Sequence, residues 1–150
     1  MEHAMAVVTR DAAARAVVRE AAELAVGVDA RLTLLAVTSE DDYEHRQESF
    51  ERSGASATYT IEQAEEAAEY KAVETATDVL EGLDVEYDVT GIVGEPARSV
   101  LAVAESRDVD HVFLSGRRRS PTGKALFGDV TQDVLLEFDG FVTVRLADDE

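Results

Sequence analysis

One segment of the chain, Ser115–Thr131, concentrates groups that could hold an anion: SGRRRSPTGKALFGDVT. Four of the 14 Lys and Arg residues (Arg117, Arg118, Arg119 and Lys124) fall within eight positions there, in a chain whose formal net charge is -18. Gly116 and Gly128 bracket them. Glycine lets backbone N–H groups approach a ligand closely, and the first N–H groups of a helix point outward unpaired. A basic, glycine-punctuated loop between a strand and a helix therefore suits an oxyanion, with arginine able to grip phosphate through two bonds at once. The other reading is a set of surface ion pairs with the chain's many carboxylates, each contributing little.

Other chemistries find less support. With no cysteine, a disulfide framework and a thiol nucleophile are excluded. The histidines His3, His45 and His111 are scattered, without metal-ligand spacing, and each reads as an ordinary solvated or hydrogen-bonded side chain. No G-x-S-x-G elbow occurs, and no G-x-G-x-x-G follows a strand. The nearest approach to a P-loop, Thr122-Gly123-Lys124-Ala125, lacks the first glycine and the metal-binding hydroxyl. Asp41-Asp42 and Asp148-Asp149 read as solvated charge. The expectation is a protein that is not an enzyme and holds no metal. A slow nucleotide hydrolase that recruits Asp129 or Asp11 is the alternative.

The elements that must position the segment alternate in type. Met5–Val8 and Leu32–Thr38 are short apolar runs, as expected for strands covered on both faces. Val85, Tyr87 and Val89 alternate with polar residues, which suggests an edge strand with one wet face. His111–Leu114 and Phe141–Leu146 complete five strands. Between them lie helical stripes. Ala14–Ala25 is closed by Gly27, Ile61–Leu80 is stopped at Gly82, and Ala97–Ala104 is opened by Gly94-Glu95-Pro96. The last runs from Phe127 to Phe138. Residues 39–56 read as a variable, mobile acidic excursion with one pair of helical turns around Tyr43–Arg52. The order β-α-β-α-β-α-β-α-β predicts one α/β domain over residues 1–150, with a parallel five-stranded sheet and right-handed crossovers. Ligands of such sheets bind beyond the carboxyl ends of the strands.

The acidity is itself informative: 32 Asp and Glu stand against only two lysines, Lys71 and Lys124, and twelve arginines. In molar salt the Debye length falls to about 3 Å, so dense negative charge repels itself little. The composition resembles that of proteins from extremely halophilic archaea. The field disfavours duplex nucleic acid as a partner. The apolar runs are too short for a membrane span, and MEHAMAVV lacks a secretion signal, so a cytoplasmic location is expected.

Taken with Val93-Gly94-Glu95-Pro96, the phrase Asp110–Gly116 and the closing strand Val142–Val144, the loop resembles the universal stress protein (UspA-type) family. Nucleotide-binding members carry G-x-x-G, nine residues, then G-[ST], between the fourth strand and the following helix. The resemblance implies a Rossmann-like, adenine nucleotide alpha hydrolase-like fold: an open parallel five-stranded sheet with helices on both faces. It implies a stress-response module that binds an adenine nucleotide, ATP or AMP, or another anion. The phosphates would lie against Ser115, Gly116, Arg117, Arg118, Arg119, Gly128, Asp129, Val130 and Thr131, with the adenosine near Thr9 and Val37. A non-nucleotide-binding interaction protein of the same fold is the alternative. The resemblance also implies a homodimer through the edge strand Phe141–Leu146. Three positions depart from the pattern. Arg119 replaces the second glycine, Thr9 stands where ATP-holding members place an Asp, and Asp129 replaces the closing hydroxyl. An ionised Asp129 can only accept hydrogen bonds. At 4 Å and an effective dielectric of 20 it would repel a phosphate charge by about 4 kcal/mol unless an arginine pairs with it. Asp129 could instead cap the last helix.

Overall fold

The computed structural model describes residues 1–10, 12–54, 58–118 and 128–148. The chain runs β1 (His3–Val7), α1 (Ala13–Val28), β2 (Arg31–Thr38), α2 (Glu40–Arg52), α3 (Ile61–Val79), β3 (Tyr87–Val93), α4 (Pro96–Ser106), β4 (His111–Arg118), α5 (Asp129–Glu137) and β5 (Phe141–Asp148). The five strands form one sheet in the order β3-β2-β1-β4-β5, and every neighbouring pair is parallel. The chain winds outward from β1 to β3, then returns to β4 on the other side of β1. The fold is the expected Rossmann-like α/β architecture.

Strand periodicity divides the core into two layers. Ala4, Ala6, Leu32, Leu34 and Phe113 face α1 and α3, where they meet Val17, Val18, Ala21, Ala76 and Val79. Met5, Val7, Leu35, Val112 and Leu114 face the opposite way, onto Val100, Val103 and Ala104 of α4 and Val134 of α5. Successive side chains point to opposite faces, so one apolar run such as Ala4–Val7 supplies both layers. The buried stripe of α3 is Ala64, Ala68, Ala72 and Ala76. These small residues let the helix lie close on β3. A Cβ at Gly91 of β3 would stand 2.3 Å from the Glu65 carbonyl oxygen, so glycine is required by the approach. Glu65 Oε2 in turn accepts from the Val93 N–H at 3.1 Å.

Several boundaries differ from the sequence expectation. Residues 40–52 are a 13-residue helix, α2, not a mobile excursion with two turns. Ser39 caps it, its Oγ accepting from the Asp42 N–H at 3.2 Å, and Glu40, Asp41 and Asp42 complement the helix dipole in the first turn. No residue of α2 is fully buried, so no apolar stripe announced it. The Tyr43 hydroxyl donates to the Tyr59 carbonyl at 3.1 Å, and the rings of Tyr43 and Phe50 each lie 5.9 Å from that of Tyr59. This aromatic group ties α2 to the segment that enters α3. Helix α1 continues past Gly27 and ends at Asp29, in the left-handed region at φ 58. Strand β3 begins at Tyr87 rather than Val85, and β4 runs on past Leu114 to Arg118.

Candidate functional site

The carboxyl ends of β1 and β2 open into a cleft of about 220 Å³. Val8, Thr9 and Arg10, which follow β1, form one wall, with Ala36, Val37 and Thr38 of β2 beside them. Helix α3 closes another side with Ala67, Ala68, Lys71, Glu74 and Thr75, and α2 contributes Arg46. Thr9 and Val37, expected from sequence at the adenosine end, thus share one concavity. The small residues Ala36, Ala67 and Ala68 keep it open.

Three cations and one carboxylate line this cleft, in a chain whose net charge is -18. Arg10 makes a loose pair with Asp42, at 3.6 Å. Among the described residues, neither Arg46 nor Lys71 pairs with a carboxylate. Arg46 sits on a helix with six acidic residues, yet its i−4 neighbour Asp42 is engaged with Arg10. Sequence reasoning placed Arg10 in a loop at the strands' carboxyl ends without giving it a role, and missed Arg46 and Lys71, because the three come from elements that only the fold brings together. The one available signal was the scarcity of lysine, which makes Lys71 conspicuous.

The second half of the expected site lies at β4 and α5. Ser115, Gly116, Arg117 and Arg118 are the last four residues of β4, not loop residues, and their backbones are in register with Arg145, Leu146, Ala147 and Asp148 of β5. Gly116 is buried, and a Cβ there would stand 2.9 Å from Val144 Cγ1 and 3.4 Å from Thr131 Cγ2. The Thr131 hydroxyl donates to the Ser115 carbonyl at 3.0 Å, which pins the first turn of α5 to the end of β4. Gly128, at φ 83, is the N-cap of α5. Asp129 is therefore the first helical residue rather than the cap, and its carboxylate is exposed beside the positive end of the dipole. Val130 is half-buried in the same turn. Arg119 and Lys124 lie outside the described residues, as does Asp11. Among the described residues none of β4 or α5 lines the 220 Å³ cleft, and the structure brings together Thr9 with Val37, and Ser115 and Gly116 with Thr131, as two groups.

The amino ends of the strands form a second concavity of about 430 Å³, lined by His3, Arg31, Tyr87, Asp88 and Arg107 among others. His3, Asp88 and Arg107 of this lining are linked to one another through Thr33. His3 is only 5% exposed. Its Nδ1 lies 2.9 Å from the Arg107 carbonyl, which can only accept, so Nδ1–H donates. Its Nε2 lies 2.7 Å from the Thr33 hydroxyl, which donates to Asp88 at 2.8 Å, and Asp88 pairs with the Arg107 guanidinium. Among the described residues there is no group of carboxylates and histidines that could hold a metal ion, and no helix long and apolar enough to cross a membrane.

A search of curated proteins finds no significant sequence match. Solved structures share the fold over nearly the whole chain. Universal stress protein UspA from Lactobacillus plantarum is 21% identical, with a TM-score of 0.69 over 95% of this chain and 96% of that one. A universal stress protein solved in complex with cAMP is 13% identical, with a TM-score of 0.63 over 97% and 96%. The universal stress protein from Archaeoglobus fulgidus in complex with dAMP is 18% identical, with a TM-score of 0.58 over 96% of each chain. The model of the universal stress protein family matches residues 1–144, and the chain belongs to that family.

Proposed function

We propose that this chain is a nucleotide-binding module of the stress response, acting by ligand-linked stabilisation rather than by catalysis. The observation that carries this reading is the cleft at the carboxyl ends of β1 and β2. It holds both Thr9 and Val37, and its wall is cationic in an otherwise acidic protein. The adenosine of ATP or AMP would occupy it. The phosphates would reach toward Gly116 and the N-terminus of α5, where the outward N–H groups favour anions. That cAMP and dAMP are held by two proteins of the same fold supports the choice of an adenine nucleotide. Asp129, exposed at the first turn, sets a penalty on a triphosphate that AMP would meet less strongly. No metal is required for this role.

The test is a melting curve in high-potassium buffer, which suits a protein read as cytoplasmic and salt-adapted, with AMP, ATP or cyclic AMP added. A nucleotide at 100 times its Kd stabilises the native state by about 2.7 kcal/mol. No shift with any of them would defeat the reading. Steady phosphate release from ATP would replace the binding role with hydrolysis.

We infer further that two copies pair through β5. It is a sheet edge, its Phe141 is 73% exposed, and Leu146, five residues further along the strand, is 39% exposed. Unpaired apolar edges invite a second strand, and a two-fold axis would make the pairing self-complementary. Sedimentation of the wild type as a dimer and of Val144→Pro as a monomer is the expected result.

A further inference from the structure

We propose that Arg10, Arg46 and Lys71 form a second phosphate subsite, so that the ligand is a nucleotide carrying phosphate at both ends of the nucleoside, such as an adenosine 3′,5′-bisphosphate. The proposal rests on the nucleotide-binding reading above and deepens it. Its basis is the placement of the three cations. They line the cleft at the carboxyl ends of β1 and β2, supplied by the turn after β1, by α2 and by α3. The glycines expected to receive the first phosphate, Gly116 and Gly128, stand on the far side, at β4 and α5. Strand β1 lies between β2 and β4. Two strand spacings separate β2 from β4, about 10 Å. A nucleoside lying over β1 would therefore present one phosphate to each side.

Lack of a carboxylate partner is not distinctive by itself, since Arg31, Arg98 and Arg145 also have none among the described residues; what sets Arg10, Arg46 and Lys71 apart is that all three line one cleft. Arg15, Arg19, Arg52 and Arg107 each pair with a carboxylate, as is easy in a chain with 32 acidic residues. Arg46 is half-buried, neighboured by acids along its own helix, and pairs with none among the described residues. The exposed Lys71 ammonium likewise pairs with no carboxylate among the described residues, although Glu74 lines the same cleft. Arg10 holds Asp42 only loosely, so a phosphate can replace that carboxylate. A phosphate dianion among a guanidinium pair and an ammonium gains charge-assisted hydrogen bonds that a neutral ribose hydroxyl cannot.

Isothermal titration of the full chain with AMP and with adenosine 3′,5′-bisphosphate at one fixed salt concentration tests this. The wild type should bind the bisphosphate at least about tenfold more tightly. The double variant Arg46→Gln, Lys71→Gln should lose the preference and bind both ligands with equal affinity, whatever its affinity for AMP, and Lys71→Gln alone should lose part of the preference. A wild type with equal affinities, or a preference that survives in a double variant melting like wild type, overturns the second subsite. If neither ligand binds the wild type, the nucleotide-binding reading itself fails.

Discussion

The two ends of the sheet differ in how far their polar side chains engage one another. At the amino end, His3, Thr33, Asp88 and Arg107 form a closed chain of hydrogen bonds and an ion pair that joins β1, β2, β3 and the end of α4. Asp110 extends it by accepting from the Glu2 N–H at 2.8 Å. At the carboxyl end, Arg46 and Lys71 enter a cleft with no internal partner among the described residues. A buried polar group left unmatched costs far more than an exposed one, so the closed end is where the fold draws stability. The open end leaves binding capacity unspent. The strands that reach both ends are the same, and the difference comes from the loops and helices that follow them.

Breaking the closed end should have the largest effect. His3→Ala leaves a cavity and deprives the Arg107 carbonyl of its donor, and should destabilise the chain by about 3 kcal/mol in chemical denaturation. By contrast, Arg46→Gln with Lys71→Gln should change stability by no more than about 0.5 kcal/mol. A large loss there would mean that the cleft cations serve the fold after all. Gly91→Ala sharpens the contrast, because it disturbs the wall of the cleft through its support. The new methyl meets the Glu65 carbonyl, α3 must lift from β3, and the cost should be about 2 kcal/mol, read as a lowered denaturation midpoint.

The smallest expected effect is on pH dependence, again at the amino end. Burial lowers the pKa of His111 from its ordinary 6.5; nearby Asp110 opposes this and the chain's amino group adds to it. His111 stacks on Phe113, ring centroids 4.4 Å apart, and its Nε2 lies 2.7 Å from the Thr143 hydroxyl. A native state that resists protonation binds fewer protons than the unfolded chain below pH 6.5. Stability from this group is thus full above pH 6.5, falls as pH drops below it, and levels off beneath the lowered native value. The stability of His111→Gln relative to wild type should improve over that acid window and be constant above it, as followed by denaturation at several pH values.

How much of this was legible depends on what each element buries. The apolar runs at Met5–Val8 and Leu32–Thr38, and the alanine stripe of α3, announced a parallel sheet because burial on two faces leaves a plain mark. Helix α2 left none, since its contacts are the rims of Tyr43 and Phe50 against Tyr59. The extension of β4 through Ser115-Gly116-Arg117-Arg118 was hidden by polar residues whose backbones pair with β5 all the same. That Thr9 and Val37 lie close together was legible through the family pattern. The cleft's cations were not, because Arg10, Arg46 and Lys71 are separated by 25 or more positions and share no motif.

Backbone amide shifts on titration with AMP would compare the two ends in a single measurement. The account predicts perturbations that gather at Thr9, Val37 and Thr38, with Gly116 and Thr131 following, while His3, Arg31 and Tyr87 stay still. Shifts that cluster instead around the amino-end concavity, or none at saturating nucleotide, would contradict it.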